Sequence, residues 1–340
     1  MKYKLLGNSG LRVSELCLGT MTFGPEWGWG ADRHESKRIF DVYANAGGNF
    51  LDTANRYTEG TSERYLGEFI ASDRDHFVVA TKYTLKDRDG DPNFAGNHRK
   101  NMIRSLDQSL KRLNTDYIDL FWLHAWDFTT PIDEVMRGLD DLVRSGKIHY
   151  IGISDTPAWV ISRANMLAEL RGWSQFAALQ IEFSLIQRGA ERDLLPMAKS
   201  LGMAVTPWGV IGGGALTGKY LRGESGRVPQ NSLRRSDRSM EIAQEVVNIA
   251  HALNITPTQV AINWVRQRVA NVIPIIGAKR SEQLQDSIQC LQNTLPDEML
   301  QRLDDISKIE LGFPHDFLSS EGVRQVAFAG VYDQIINHHL

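Results

Sequence analysis

The sequence predicts a (β/α)8 barrel of the TIM type, with an N-terminal β-hairpin and long loops on its top face. Eight short apolar runs recur at intervals of a few tens of residues, and segments of helical period lie between them. Strands that alternate with helices pair in parallel, and eight repeats are the number that closes a barrel. Such barrels often exceed ~200 residues as one domain. No linker-like boundary interrupts residues 1–340, so one barrel domain is expected over the whole length.

The elements follow in order. "YKLLGNSGLRVSEL" sets Asn-Ser-Gly between two apolar pieces, which predicts a hairpin over about residues 1–14, placed to plug the barrel bottom. The strands are "ELCLGT", "NFLDTA", "FVVATKY", "IDLFWLH", "YIGIS", "ALQIEFS", "MAVTPWG" and "VIPIIGA". Helical period marks "ESKRIFDVYANAG", "NMIRSLDQSLKRL", "PIDEVMRGLDDLVRSG" and "AERDLLPMAKSLG", several of which end in Gly as helix C-termini do. The segments share period and not sequence. Extra length falls in the Trp/Gly-rich "MTFGPEWGWGAD" after the first strand and in a Gly/Arg/Ser-rich stretch from Gly209 to Arg238 after the seventh. A third addition is a tail over about 309–340, whose His338 and His339 are read as solvated.

Composition narrows the partners. A formal charge of −3 offers no basic field for nucleic acid, while 42% hydrophobic and 23% charged residues are ordinary for a globular protein. The N-terminus has no signal-peptide apolar core, and no apolar stretch approaches the ~20 residues of a membrane helix. The expectation is a cytoplasmic protein with a small-molecule partner and no membrane; a homo-oligomer is compatible with the sequence. Cys17 and Cys290 stand alone, with no Cys-x-x-Cys or His/Cys cluster, so they are read as reduced core thiols and no metal is expected.

Barrel strands point alternate residues inward and carry catalytic groups at their C-terminal ends. Counting by twos gives Phe50 and Asp52, Ala80 and Lys82, and Trp122 and His124. Neighbouring strands lie ~4.8 Å apart, so an acid, an amine and an imidazole meet on three adjacent tips. Tyr57, in the next loop, can lean over them. Each residue alone has a dull explanation: a turn cap, a snorkelling lysine, a core histidine, a rim aromatic. Together they form a constellation. A buried lysine requires Asp52, and an ammonium beside a phenol favours the phenolate, so a lowered Tyr57 pKa is expected. Such a phenol can protonate a carbonyl oxygen while hydride reaches the carbon, with His124 orienting that oxygen.

Two rival chemistries are weaker. "GGALTGKY" has P-loop spacing, but Tyr220 stands where that motif needs Ser or Thr for magnesium. A Schiff-base aldolase on Lys82 would leave Tyr57 and the adjacent cations Lys279 and Arg280 unexplained.

At these residues the chain resembles the aldo-keto reductase superfamily, whose Asp/Tyr/Lys/His tetrad matches Asp52, Tyr57, Lys82 and His124. "GTMTFG", "LDTANRYTEGTSERYLGEF", "VVATKY", "LHAWD", "GISD", "LQIEFSL", "GGGALTGKY" and "IPIIGAKRSEQL" occur in the family's order across nearly the whole chain. The "WGWG" loop is most similar to the branch containing aryl-alcohol dehydrogenases and related bacterial reductases. The resemblance implies NADPH/NADP+ lying extended across the barrel mouth, in agreement with the lack of a Gly-x-Gly-x-x-Gly turn. It implies cofactor contacts at Gly19, Thr20, Met21 and Asp52, carboxamide contacts at Ser154, Asp155 and Gln180, and ring stacking at Trp208 with Gly209 and Val210 beside it. Lys219 would meet the pyrophosphate. Lys279 and Arg280 would hold the 2′-phosphate beside helix N-terminal amides, with Gly277 a further cofactor contact, and Gln283, Asp286 and Ser287 would meet the adenosine.

Three positions depart from the family pattern. Asp155 stands where many relatives carry Asn, Trp208 replaces a stacking Tyr, and Ser287 stands where Asn is frequent. Trp27, Trp29, Tyr57, Tyr83, His124 and Trp126 crowd the predicted mouth and imply aromatic or hydrophobic carbonyl substrates. The resemblance also admits a redox-sensing, NADPH-binding subunit with little turnover.

Overall fold

A computed structural model describes residues 1–336; His338 and His339 lie outside the described residues. A hairpin of β1 (Tyr3–Leu5) and β2 (Arg12–Ser14) precedes eight parallel strands: β3 (Cys17–Gly19), β4 (Phe50–Asp52), β5 (Val78–Tyr83), β6 (Ile118–Leu123), β7 (Ile148–Ser154), β8 (Phe176–Glu182), β9 (Ala204–Trp208) and β10 (Ile275–Ile276). Their spatial order is β10, then β3 through β9 in sequence order. The ring closes beside β10, where Val205 N–H donates to Asn271 O at 3.1 Å and Ile273 N–H to Val205 O at 2.8 Å. The architecture is a (β/α)8 TIM barrel with the N-terminal hairpin the sequence predicts.

Helices α1 (Arg33–Asn45), α2 (Thr61–Ile70), α3 (Arg99–Leu113), α4 (Ile132–Arg144), α5 (Ala158–Arg171) and α6 (Leu194–Ser200) cross between the first seven strands. Helices α7 (Asp237–Leu253) and α8 (Pro257–Arg268) precede β10, and α9 (Ser281–Gln289) and α10 (Asp297–Ser307) follow it. Strand alternation separates two apolar regions. Outward residues such as Leu51, Val79, Tyr83 and Phe121 pack under the helices, while Phe50, Ala80, Leu120 and Trp122 fill the barrel. Leu6 and Val13 of the hairpin join that inner cluster, so the hairpin closes the bottom. Gly152 makes the inner packing possible, because a Cβ there would lie 2.3 Å from the Trp122 ring.

The tail carries two short helices, α11 (His315–Ser319) and α12 (Glu321–Ala327), and leaves Phe313, Phe317, Leu318 and Val326 exposed. Among the described residues no helix is long and apolar enough to cross a membrane. Both cysteines are buried and free, Cys17 on β3 and Cys290 in a 3-10 turn directly after α9.

Candidate active site

Asp52 ends β4, Lys82 is the penultimate residue of β5, and His124 follows β6 directly. Lys82 is wholly buried, and all of its donors are used: Nζ meets Asp52 Oδ2 at 2.5 Å, Thr53 O at 2.8 Å and the Tyr57 hydroxyl at 3.1 Å. The second oxygen of Asp52 accepts from Gln180 Nε2 at 3.0 Å, which ties β8 into the same corner. Tyr57 is aimed by an unusual turn. Thr58, Glu59 and Gly60 all take left-handed backbone at φ 45°, 54° and 81°. Such conformations cost of order 1–3 kcal/mol each for residues with a Cβ, so the surroundings must enforce them. Thr58 does this through its hydroxyl, which donates to Phe23 O at 2.5 Å and accepts from Ser62 N–H at 3.1 Å.

The electrostatics correct one expectation. Burial pushes the Tyr57 phenol above its ordinary value; Lys82 pulls it back and Asp52 adds to the rise. The phenol therefore keeps its proton, against the lowered pKa expected from the lysine alone. Desolvation outweighs a single cation whose charge Asp52 already shares. Burial also works to discharge Lys82, but Asp52 and Tyr57 hold its pKa above the ordinary lysine value. A lysine held protonated is not a Schiff-base nucleophile. His124 is driven well below an ordinary histidine by burial and by Lys82, so its ring is neutral. It meets the Tyr57 ring edge to face at 6.0 Å, and its Nδ1 is buried with no partner.

These groups face a cavity of ≈ 1290 Å³ across the barrel mouth. Of the cofactor positions inferred from sequence, Gly19, Met21, Asp52, Ser154, Asp155, Gln180, Trp208, Gly209, Val210, Lys219, Gly277, Lys279, Gln283, Asp286 and Ser287 line it. Trp27, Trp29, Tyr57 and His124 line it as well. Lys82 acts from behind, reaching the cavity only through Tyr57 and Asp52.

Besides Lys82, four expected residues lie off the cavity. Tyr83 is fully buried, stacked on Phe121 at 5.2 Å, because inward Lys82 leaves its neighbour facing the helix layer. Trp126 is half-buried against the outer apolar cluster. Thr20 is buried and donates to Asp52 O at 2.9 Å, bracing the strand tip. Arg280 sits at the N-cap of α9 on the exposed surface.

The adenosine-side residues are partly committed elsewhere. Gln283 Oε1 accepts from the Lys279 and Arg280 amides at 3.0 and 3.2 Å, Asp286 accepts from Thr256 and Gln259, and the Ser287 hydroxyl donates to Gln283 O. Glu35 takes the Ser281 amide at 2.6 Å, so the α9 N-terminus already holds one acid of the chain.

Sequence reading missed a set of charged wall residues, among them Arg56, Arg227 and Arg234. Arg234 pairs with Glu182 at 2.5 Å, and Arg227 lies over Trp29 at 5.4 Å from the ring centre. The arginine-rich composition of the loop after β9 was the one signal for Arg227 and Arg234.

The wall fits a dinucleotide phosphate. Lys219 and Lys279 form no ion pair among the described residues, and the Ser154 hydroxyl is buried without a partner at the cavity edge. Gly213 and Gly214 have φ 67° and 96°, and a Cβ on Gly214 would lie 2.8 Å from Lys219 Nζ. The lysine thus runs along glycine backbone, where a ligand can approach closely.

Comparison with known proteins agrees with this geometry. The profile described as "Aldo/keto reductase family" matches residues 15–308. A norsolorinic acid reductase of Aspergillus flavus is 39% identical over 326 residues, covering 92% of this chain and 83% of that protein. An aryl-alcohol dehydrogenase [NADP(+)] of Phanerodontia chrysosporium is 37% identical, covering 92% of this chain and 87% of its own length. A putative aryl-alcohol dehydrogenase, AAD14, of Saccharomyces cerevisiae is 35% identical, with 92% and 88% covered.

Proposed function

Because the chain belongs to the aldo/keto reductase family, and is thereby an oxidoreductase, we propose that it reduces aldehydes and ketones with NADPH, and oxidises alcohols in reverse. One observation carries this reading: a protonated phenol, Tyr57, stands in the cavity wall with an ammonium 3.1 Å behind its oxygen. The cofactor, when bound, supplies the hydride.

Tyr57 donates its proton to the carbonyl oxygen as negative charge develops there. Lys82 stabilises the tyrosinate left behind, and Asp52 keeps Lys82 charged in a dry site. The neutral His124 ring offers an N–H to the same oxygen and fixes the carbonyl direction. In the reverse direction the tyrosinate takes the alcohol proton. Lys279 and Arg280 would hold the 2′-phosphate, Lys219 the pyrophosphate, and Ser154, Asp155 and Gln180 the carboxamide over Trp208.

Trp27 and Trp29, 5.6 Å apart, continue the wall from Tyr57 and favour flat aromatic carbonyls. The aryl-alcohol dehydrogenase activity named for one relative points the same way. The test is loss of NADPH absorbance across a panel of aromatic and aliphatic aldehydes, ketones and sugars. Turnover is expected to be fastest with aromatic carbonyls. Tight NADPH binding without turnover of any of them would instead mark a sensing subunit.

A further inference from the structure

We propose that Asp155 takes up a proton from solvent when the reduced nicotinamide occupies the cavity, and positions the carboxamide as a neutral carboxylic acid. This rests on the reading of the cavity as the NADPH site. Asp155 directly follows β7 with left-handed backbone at φ 39°, held by its own N–H to Gln180 O at 3.3 Å and by Trp126 N–H to its carbonyl at 3.4 Å. Its carboxyl opens into the cavity and has one long contact, from Trp208 Nε1 at 3.4 Å.

No cation pairs with it among the described residues. Lys82 on β5 is committed to Asp52 and Tyr57, His124 after β6 is neutral, and Glu182 on β8 is negative and paired with Arg234 from the loop after β9. The side chain is exposed to the open cavity, yet the surrounding protein already desolvates the carboxyl enough to push it up to about 6, against the pull of Trp208 and Lys82 and with a further push from Glu182.

A ligand ring seated beside Trp208 would strip the remaining water from this carboxyl and bring no cation in exchange. An isolated carboxylate in that position neutralises rather than staying charged. The neutral acid then suits an amide. Gln180 spends one N–H on Asp52, and the adjacent Ser154 hydroxyl is buried without a partner; a protonated Asp155 adds a donor for the amide oxygen beside an acceptor for its nitrogen. The oxidised ring carries a positive charge that favours the carboxylate, so NADP+ should draw in less proton than NADPH.

Calorimetry in two buffers of different ionisation heat, near neutral pH, counts the protons taken up on binding. The wild-type chain is expected to take up approaching about one proton more with NADPH than with NADP+. The 2′-phosphate is common to both cofactors and cancels. Asp155→Asn should bind NADPH and lose the difference. Equal uptake for the two cofactors in the wild-type chain, or an unchanged difference in Asp155→Asn, overturns the proposal. If the wild-type chain binds neither cofactor, the NADPH reading itself falls, which separates the two failures.

Discussion

Two regions face the same cavity and handle charge in opposite ways. At the tips of β4, β5 and β6, Lys82 has no exposure at all and meets Asp52, Thr53 and Tyr57 within 3.1 Å. On the opposite wall, Lys219 is half-buried and Lys279 is exposed, with Arg280 exposed just outside the cavity, none of them in an ion pair among the described residues. A charge on a rigid, dry strand tip survives only with partners, so its geometry is fixed before any ligand arrives. The loop cations remain solvated and are free to meet phosphates. The proposed roles divide the same way, proton transfer at the corner and binding at the wall.

The sharpest way to break this contrast is at Tyr57. Tyr57→Phe should lower turnover by ~10²–10⁴-fold while NADPH affinity, read by fluorescence titration, stays at the wild-type value. Next, Asp52→Ala strands Lys82 as a buried unpaired charge and should cost about 3–5 kcal/mol in chemical denaturation. Lys279→Ala on the wall should stay within about 0.5 kcal/mol of wild type in the same assay.

The wall answers to ligand instead. Changing Lys279 and Arg280 together to Ala removes charge-assisted contacts of about 1.5–3 kcal/mol, so NADPH affinity should fall ~10-fold or more with little change for NADH. Equal losses for the two nucleotides would remove the case for a 2′-phosphate site there.

The smallest effect is on pH. The folded pKa of His124 lies well below 6.5, so the unfolded chain binds the extra proton first as pH falls. Its contribution is complete above about 6.5 and is lost toward the folded value, at up to about 1.4 kcal/mol per pH unit. Denaturation across that range should show a flatter acid limb for His124→Gln.

The same contrast explains what the sequence could disclose. Period two along "FVVATKY" places Lys82 inward, the interval between apolar runs yields all eight strands, and Asn-Ser-Gly between two apolar pieces yields the hairpin. Tyr83 was misplaced at the mouth because its aromatic character was weighed above the alternation that turns it outward onto Phe121. Trp126 and Arg280 lie past element ends, where no period assigns a direction. The loop cations Arg227 and Arg234 were legible only as arginine-rich composition, for the same reason. The sign of the Tyr57 shift escaped too, because the cation was legible from the strand tips while desolvation depends on how Trp27 and His124 pack around the ring in three dimensions.

The central claim is that Tyr57, half-buried in the cavity wall, holds its proton, with Lys82 as the group that draws its pKa down. Titrating isotope-labelled tyrosine by NMR, with Tyr57→Phe to assign the signal, measures this directly. The account predicts a Tyr57 phenol still protonated at pH 10.0, the ordinary tyrosine midpoint, and a titration displaced further upward in Lys82→Met. A phenolate forming below that value in the native protein, or no response to Lys82→Met, would contradict it.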